Sequence, residues 1–170
     1  MHVMVATDGS IDSKKAAAIA TSLAGDGQVT VYTVVEIPRQ MLNDMRAAAA
    51  DSAAGDKARE ISVEYRTTQA GDAPVSRWVG DDAVVDRYVK HQVKGRTEEL
   101  VAELDKAGAT YTVIGEEGEN AAQAVLAAAT SHGVDVLCIG THGLGRFEGL
   151  LGSLSTKVAR RAPCSVVLVR

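Results

Sequence analysis

At 170 residues the chain fits one domain with a sizeable core. Its formal net charge of −4 gives no basic footprint, so nucleic acid is not expected as a partner. No apolar run approaches membrane-spanning length, and no basic stretch leads into an apolar one near Met1, so neither a membrane nor a leader is expected. Cys138 and Cys164 fall in or beside predicted strands and read as small buried hydrophobes of a reducing compartment, which makes the expected location cytoplasmic.

Residues 2–6 form a short apolar strand, followed by the turn Thr7-Asp8-Gly9-Ser10. Ser10 or Asp12 can cap the next helix through a side-chain oxygen. Ala16, Ala17, Ile19, Ala20 and Leu23 share one helical face, and Gly25-Asp26-Gly27 stops the helix. A second strand covers 28–35. Asp8, at the C-terminal end of a strand, has two readings. One is Asp-Gly turn chemistry; the other is an acceptor for ribose hydroxyls, or a support for a metal carried on a nucleotide.

The stretch from Glu36 to about residue 82 is the least informative. Residues 41–59 are alanine-rich and compatible with a helix, 61–65 alternate as an edge strand would, and 67–74 have turn composition. Such an excursion is either a surface loop or a lid. Trp78 reads as a packing residue before it reads as a platform for a base. Residues 81–106 then repeat apolar positions at helical spacing, from Val85 to Leu104, and Gly108 ends that helix. A third strand is expected at 110–114 and a helix at 120–131 with Gly133 as its stop. The four histidines show no mutual metal-ligand spacing.

The richest stretch is 134–170. An apolar strand at 134–139 runs into a loop containing Gly140, Gly143, Gly145, Gly149 and Gly152; then come Ser153, Leu154, Ser155 and Thr156 and a helical pattern closed by Pro163. Residues 166–169 make the last strand. Glycines let backbone N–H groups approach a ligand, and a helix start favours phosphate. Glu148 stands where a dinucleotide fingerprint needs its third glycine, and no Gly-Lys-Ser/Thr follows, so neither of those loops is present. Alternating strands and helices predict an α/β fold, a parallel sheet covered on both faces, with ligands at the carboxyl ends of strands where the winding reverses.

The segment GTHGLGRFEGLLGSLSTKVARRAPCSVVLVR resembles the C-terminal signature of the universal stress protein family. ATP-binding members of that family carry Gly, two residues, Gly, nine residues, then Gly-Ser or Gly-Thr. Here the second interval, 144–151, is eight residues. The start VMVATDGSIDS, followed by an alanine-rich helix, is similar to the family's start, and the likeness covers roughly 1–36 and 84–170.

This resemblance implies a single doubly wound domain over 1–170 with a five-stranded parallel sheet in the order 3-2-1-4-5 and helices on both faces. It implies a regulatory stress-response protein that binds ATP or another adenine nucleotide, any Mg2+ arriving with the nucleotide, with no efficient catalysis beyond a slow ATPase. Ala6, Thr7 and Asp8 would then meet base and ribose, Val34 or Val35 would wall the adenine, and Ile139 and Gly140 would line the same pocket. Gly143, Gly152, Ser153, Leu154 and Ser155 would hold the phosphates by N–H and hydroxyl groups. His142 stands inside the loop, bordering the expected ligand, with no catalytic role assigned. The shorter interval predicts weaker discrimination between ATP and ADP or AMP.

The uncharged strand at 166–169 ends at a sheet edge, a hazard unless another chain covers it. The resemblance also implies pairing of these strands across a two-fold axis, giving a homodimer. Two other readings remain open. One is a dimeric interaction module without a nucleotide. The other is an adenylating enzyme, since Gly9, Asp12 and Ser13 match the Ser-Gly-Gly-x-Asp-Ser loop of the ATP pyrophosphatases while Asp8 and Ser10 depart from it.

Overall fold

The computed structural model describes residues 1–37, 79–141 and 152–170, with side chains from residue 85 onward in the second of these stretches. In chain order its elements are β1 (His2–Ala6), α1 (Ser13–Ala24), β2 (Gln28–Val35), α2 (Val79–Lys106), β3 (Tyr111–Glu117), α3 (Ala121–Ser131), β4 (Val136–Gly140), α4 (Ser153–Arg161) and β5 (Ser165–Val169). The expected helix at 41–59, edge strand at 61–65, turn at 67–74 and Trp78 lie outside the described residues, as do His142, Gly143, Gly145 and Gly149. The chain groups into two compact units: Met1–Glu36 with Gln92–Arg170, and Ile37–His91. The sheet, its two cores and the cavity described below belong to the first. Of the second, the described residues are Ile37 and the opening part of α2.

All strand pairs are parallel, in the order β3-β2-β1-β4-β5. β1, β2 and β4 are buried on both faces, which is why β1 and β4 read as apolar runs and β2 as one broken only by the buried Thr30 and Thr33. Their side chains alternate between two cores. Val3, Val5, Val29, Val31, Val136 and Cys138 pack with the alanine face of α1 and with Leu100 and Leu104 of α2. Met4, Tyr32, Val34, Leu137 and Ile139 pack instead with α3 and with Val158 of α4. Burial pushes the Cys138 thiol up to about 11, so it stays protonated and inert.

Of the two residues expected to cap α1, Asp12 does so: its Oδ1 accepts the Lys15 N–H at 2.9 Å. The third strand begins at Tyr111 and runs on through Gly115, Glu116 and Glu117, because β2 pairs with it as far as Val35. At Gly115 a Cβ would stand 2.2 Å from Val93 Cγ2, so only glycine lets α2 lie this close to the strand. At the opposite end of the sheet His2 uses both ring nitrogens, one at 3.0 Å from the His132 carbonyl and one at 2.8 Å from the Thr30 hydroxyl. Among the described residues no helix is long and apolar enough to cross a membrane.

Candidate functional site

The chain winds outward from β1 through β2 to β3, then returns to the other side of β1 for β4 and β5. Winding therefore reverses between β1 and β4, where Ala6 pairs with Ile139. Connections leave in opposite directions at such a point and open a crevice beyond the carboxyl ends of the strands. A cavity of about 180 Å3 occupies that position.

Its walls divide by chemistry. Ala6, Tyr32, Val34 and Ile139 come from the strands, and Ala121, Val125 and Leu154 from α3 and α4, forming an apolar half. Thr7, Asp8 and Ser10 border it on one side; Gly140, Gly152, Ser153 and Ser155 do so on the other. The loop after β1 is held in place by its own backbone: Thr7 N–H donates to the Tyr32 carbonyl at 2.9 Å, and Gly9 N–H to Thr7 Oγ1 at 2.9 Å. The Asp8 carboxylate accepts both the N–H of Ser10, at 3.0 Å, and its hydroxyl. Turn chemistry and a carboxylate at the cavity are thus the same feature.

Gly9 has φ +92°, and a Cβ there would meet Arg96 Cα at 3.2 Å, so α2 crosses directly over this loop. From that position Arg96 Nη1 donates to the Val34 carbonyl at 2.7 Å, satisfying a strand-end acceptor next to the cavity. At the start of α3, Asn120 Oδ1 accepts from Gln123 N–H and Glu36 Oε1 from Ala121 N–H, which fixes the helix end over the apolar half.

The start of α4 is built differently. Gly152 occupies the N-cap position and has no side chain to offer the first-turn N–H groups, which stand at the positive end of the helix. Gly152 N–H is itself engaged, donating to the Thr141 carbonyl at 2.9 Å. Ser155 is buried and its hydroxyl donates to the Gly140 carbonyl at 2.7 Å, tying helix to strand. That proton is committed within the protein, so Ser155 can offer a ligand its N–H rather than a hydroxyl donor. Ser153 is exposed, and its side chain remains open to the cavity.

Of the residues singled out from sequence, Ala6, Thr7, Asp8, Val34, Ile139, Gly140, Gly152, Ser153, Leu154 and Ser155 line this one cavity. Val35 is buried but is not among the lining residues, as strand alternation requires once Val34 faces in. His142 and Gly143 lie outside the described residues. Sequence reasoning did not single out Ser10, Ile11, Tyr32, Ala121 or Val125 as cavity residues. Ala121 and Val125 carried one signal, an i, i+4 pair on the helix facing the sheet. Tyr32 carried another, an aromatic on the same strand face as Val34.

Comparison with known proteins adds the following. The model of the universal stress protein family matches residues 1–170. A universal stress protein of Thermus aquaticus, named for its place in the QAH/OAS sulfhydrylase 3′ region, is 50% identical over 50 residues, 29% of this chain and 36% of that relative. The chain therefore aligns with little more than a third of that curated relative's length. Among solved structures, the hypothetical protein MJ0577 superposes with a TM-score of 0.64 at 16% identity, covering 99% of this chain and 94% of its own. A universal stress protein in complex with cAMP gives 0.55 at 18% identity, covering 100% and 96%. A universal stress protein family protein from Arabidopsis thaliana with AMP bound gives 0.51 at 15%, covering 99% and 90%. At these identities the structural likenesses are likenesses of fold. With the family model spanning the whole chain on a sheet of the order expected for it, this chain belongs to the universal stress protein family.

Proposed function

We propose that the chain binds an adenine nucleotide, ATP being the form first in view, and acts as a cytoplasmic regulatory protein rather than an efficient enzyme. The observation that carries this reading is the two-part cavity at the winding reversal. Its apolar half fits a base, and it ends at a helix start whose N-cap is a glycine, with no side-chain cap bond among the described residues. The base would lie between Val34 and Val125, the ribose at Asp8, and the phosphates at Ser153, Leu154 and Ser155. The cAMP and AMP complexes of related folds support the same ligand class. Any Mg2+ arrives with the phosphates, since the described residues hold no cluster of three side chains able to ligate one.

Thermal unfolding with AMP, ADP, ATP-Mg2+ and cAMP tests this. A ligand at 100 times its dissociation constant should raise stability by about 2.7 kcal/mol, a shift of roughly 5–11 °C for a chain of this size. No shift with any of the four overturns the proposal. In titration calorimetry the eight-residue interval 144–151 predicts ATP no more than about tenfold tighter than ADP.

The reading includes a homodimer through β5. That strand is a sheet edge, and its Leu168 is 37% exposed, one of the exposed large apolar side chains among the described residues. Light scattering should give a dimer for wild type and a monomer for Leu168→Lys. A monomeric wild type removes the dimer; an unchanged variant dimer places the contact elsewhere.

A further inference from the structure

The geometry points to Arg96 as the positioning residue of the cavity, standing in for the backbone bond lost where β1 turns away from β2. This rests on the reading of the cavity as a nucleotide site and deepens it by naming what readies two of its walls.

In a parallel ladder, carbonyls two residues apart on one strand face the same neighbouring strand. On β2 the Tyr32 carbonyl faces β1 and accepts the Thr7 N–H at 2.9 Å. The Val34 carbonyl, two residues on, faces the same side. By then β1 has ended at Ala6, and the chain bends at Asp8 and Gly9. The Val35 carbonyl faces the other way and accepts the Gly118 N–H at 3.1 Å. One acceptor at the end of β2 therefore loses its strand partner just where the crevice opens. Arg96 Nη1 takes that place, donating to the Val34 carbonyl at 2.7 Å.

Gly9 makes this reach possible. A Cβ there would meet Arg96 Cα at 3.2 Å, so the helix lies against the loop and one side chain spans from loop to strand. A guanidinium offers donors only, which suits an orphaned carbonyl.

Arg96 is not among the residues that line the cavity, so it acts on a ligand through what it holds. Val34 walls the apolar half, and Asp8 and Ser10 flank Gly9 on the polar side. The arginine thus sets the spacing of these two walls before a ligand arrives. A buried carbonyl without a partner is costly, so without the donor the end of β2 turns toward water and takes Val34 with it. Binding must then restore the wall, and affinity falls.

Calorimetry with AMP and ATP on the full chain tests this. Arg96→Lys keeps a cationic donor on a long stem, and a single bond needs no planar fork, so both ligands should stay within about threefold of wild type. Arg96→Met keeps an apolar stem without a donor and should weaken both ligands at least about tenfold, at a temperature where circular dichroism shows it folded. The two losses should match, because the walls meet the base and ribose that the ligands share. A merely structural arginine would lower the melting temperature of Arg96→Met and leave its affinities unchanged. That result, or a lysine variant as weak as the methionine one, overturns the inference and leaves nucleotide binding intact. Should Arg96→Met fail to fold, magnetic resonance on wild type decides: the Arg96 guanidinium protons should exchange with water more slowly once AMP is bound, and an unchanged rate overturns the inference. If wild type binds neither ligand, both the inference and the proposed function fall.

Discussion

Tyr32→Ala should destabilise the protein by about 3–5 kcal/mol, the range for cutting a fully buried aromatic back to a methyl, and should erase the nucleotide response as well. Both effects follow from one placement. Tyr32 belongs to the core shared by β1, β2, β4, α3 and α4, and the same ring is the floor of the cavity. Removing it also leaves Glu116 without its phenol. For a chain of this length the loss lowers the melting temperature by roughly 6–20 °C. Urea unfolding at an unchanged m-value should report it. A variant within about 1 kcal/mol of wild type would contradict the packing described here.

Leu104→Ala should cost a comparable amount, about 2–5 kcal/mol, without the functional loss. Leu104 is fully buried on the other side of the sheet, among α1, α2 and the outward-alternating strand residues. Among the described residues that line the cavity, only Ile11 belongs to that core. At a temperature where the variant is folded, its AMP affinity should therefore equal that of wild type. Equal stability losses with opposite binding outcomes would separate the two faces of the sheet. If Leu104→Ala also abolished binding, α2 would have to be placed in the site, beyond the single bond from Arg96 to the Val34 carbonyl.

Much of the fold was legible because its signals are local. β1, β2 and β4 announce themselves as apolar runs, Asn120 and Asp12 are side-chain caps at their own helix starts, and Gly25, Gly108 and Gly133 stand just beyond α1, α2 and α3 with positive φ. The end of β3 was not legible. Gly115-Glu116-Glu117 carries no apolar pattern, and what makes it a strand is β2 beside it and Val93 above Gly115. The same division holds at the candidate site. Asp8 after β1 and Gly152-Ser153 at a helix start could be picked out from spacing. For Ala121, Val125 and Tyr32 spacing gives the face they share but not the cavity, because their place there depends on how α3 lies over β2. Nor does spacing give the commitment of the Ser155 hydroxyl to Gly140, which joins residues 15 apart through the packing of α4 on β4.

The strand order also bears on how the sheet assembles in time. Among the described residues α1 lies between β1 and β2 and α4 between β4 and β5, but Tyr32 and Glu116, bonded across β2 and β3, are 84 residues apart, and His2 and Asp135 are 133 apart. The entropy of closing a loop grows only with the logarithm of its length, about 0.6 kcal/mol for each doubling, so these separations take little from equilibrium stability. They weigh on the rate, because closure precedes the contacts that compensate for it. The β1-α1-β2 and β4-α4-β5 units are therefore expected to form ahead of the arrival of β3. Until β3 arrives, β2 is an apolar edge and the Tyr32 hydroxyl lacks its Glu116 partner, so this wall of the cavity settles only once β3 has paired.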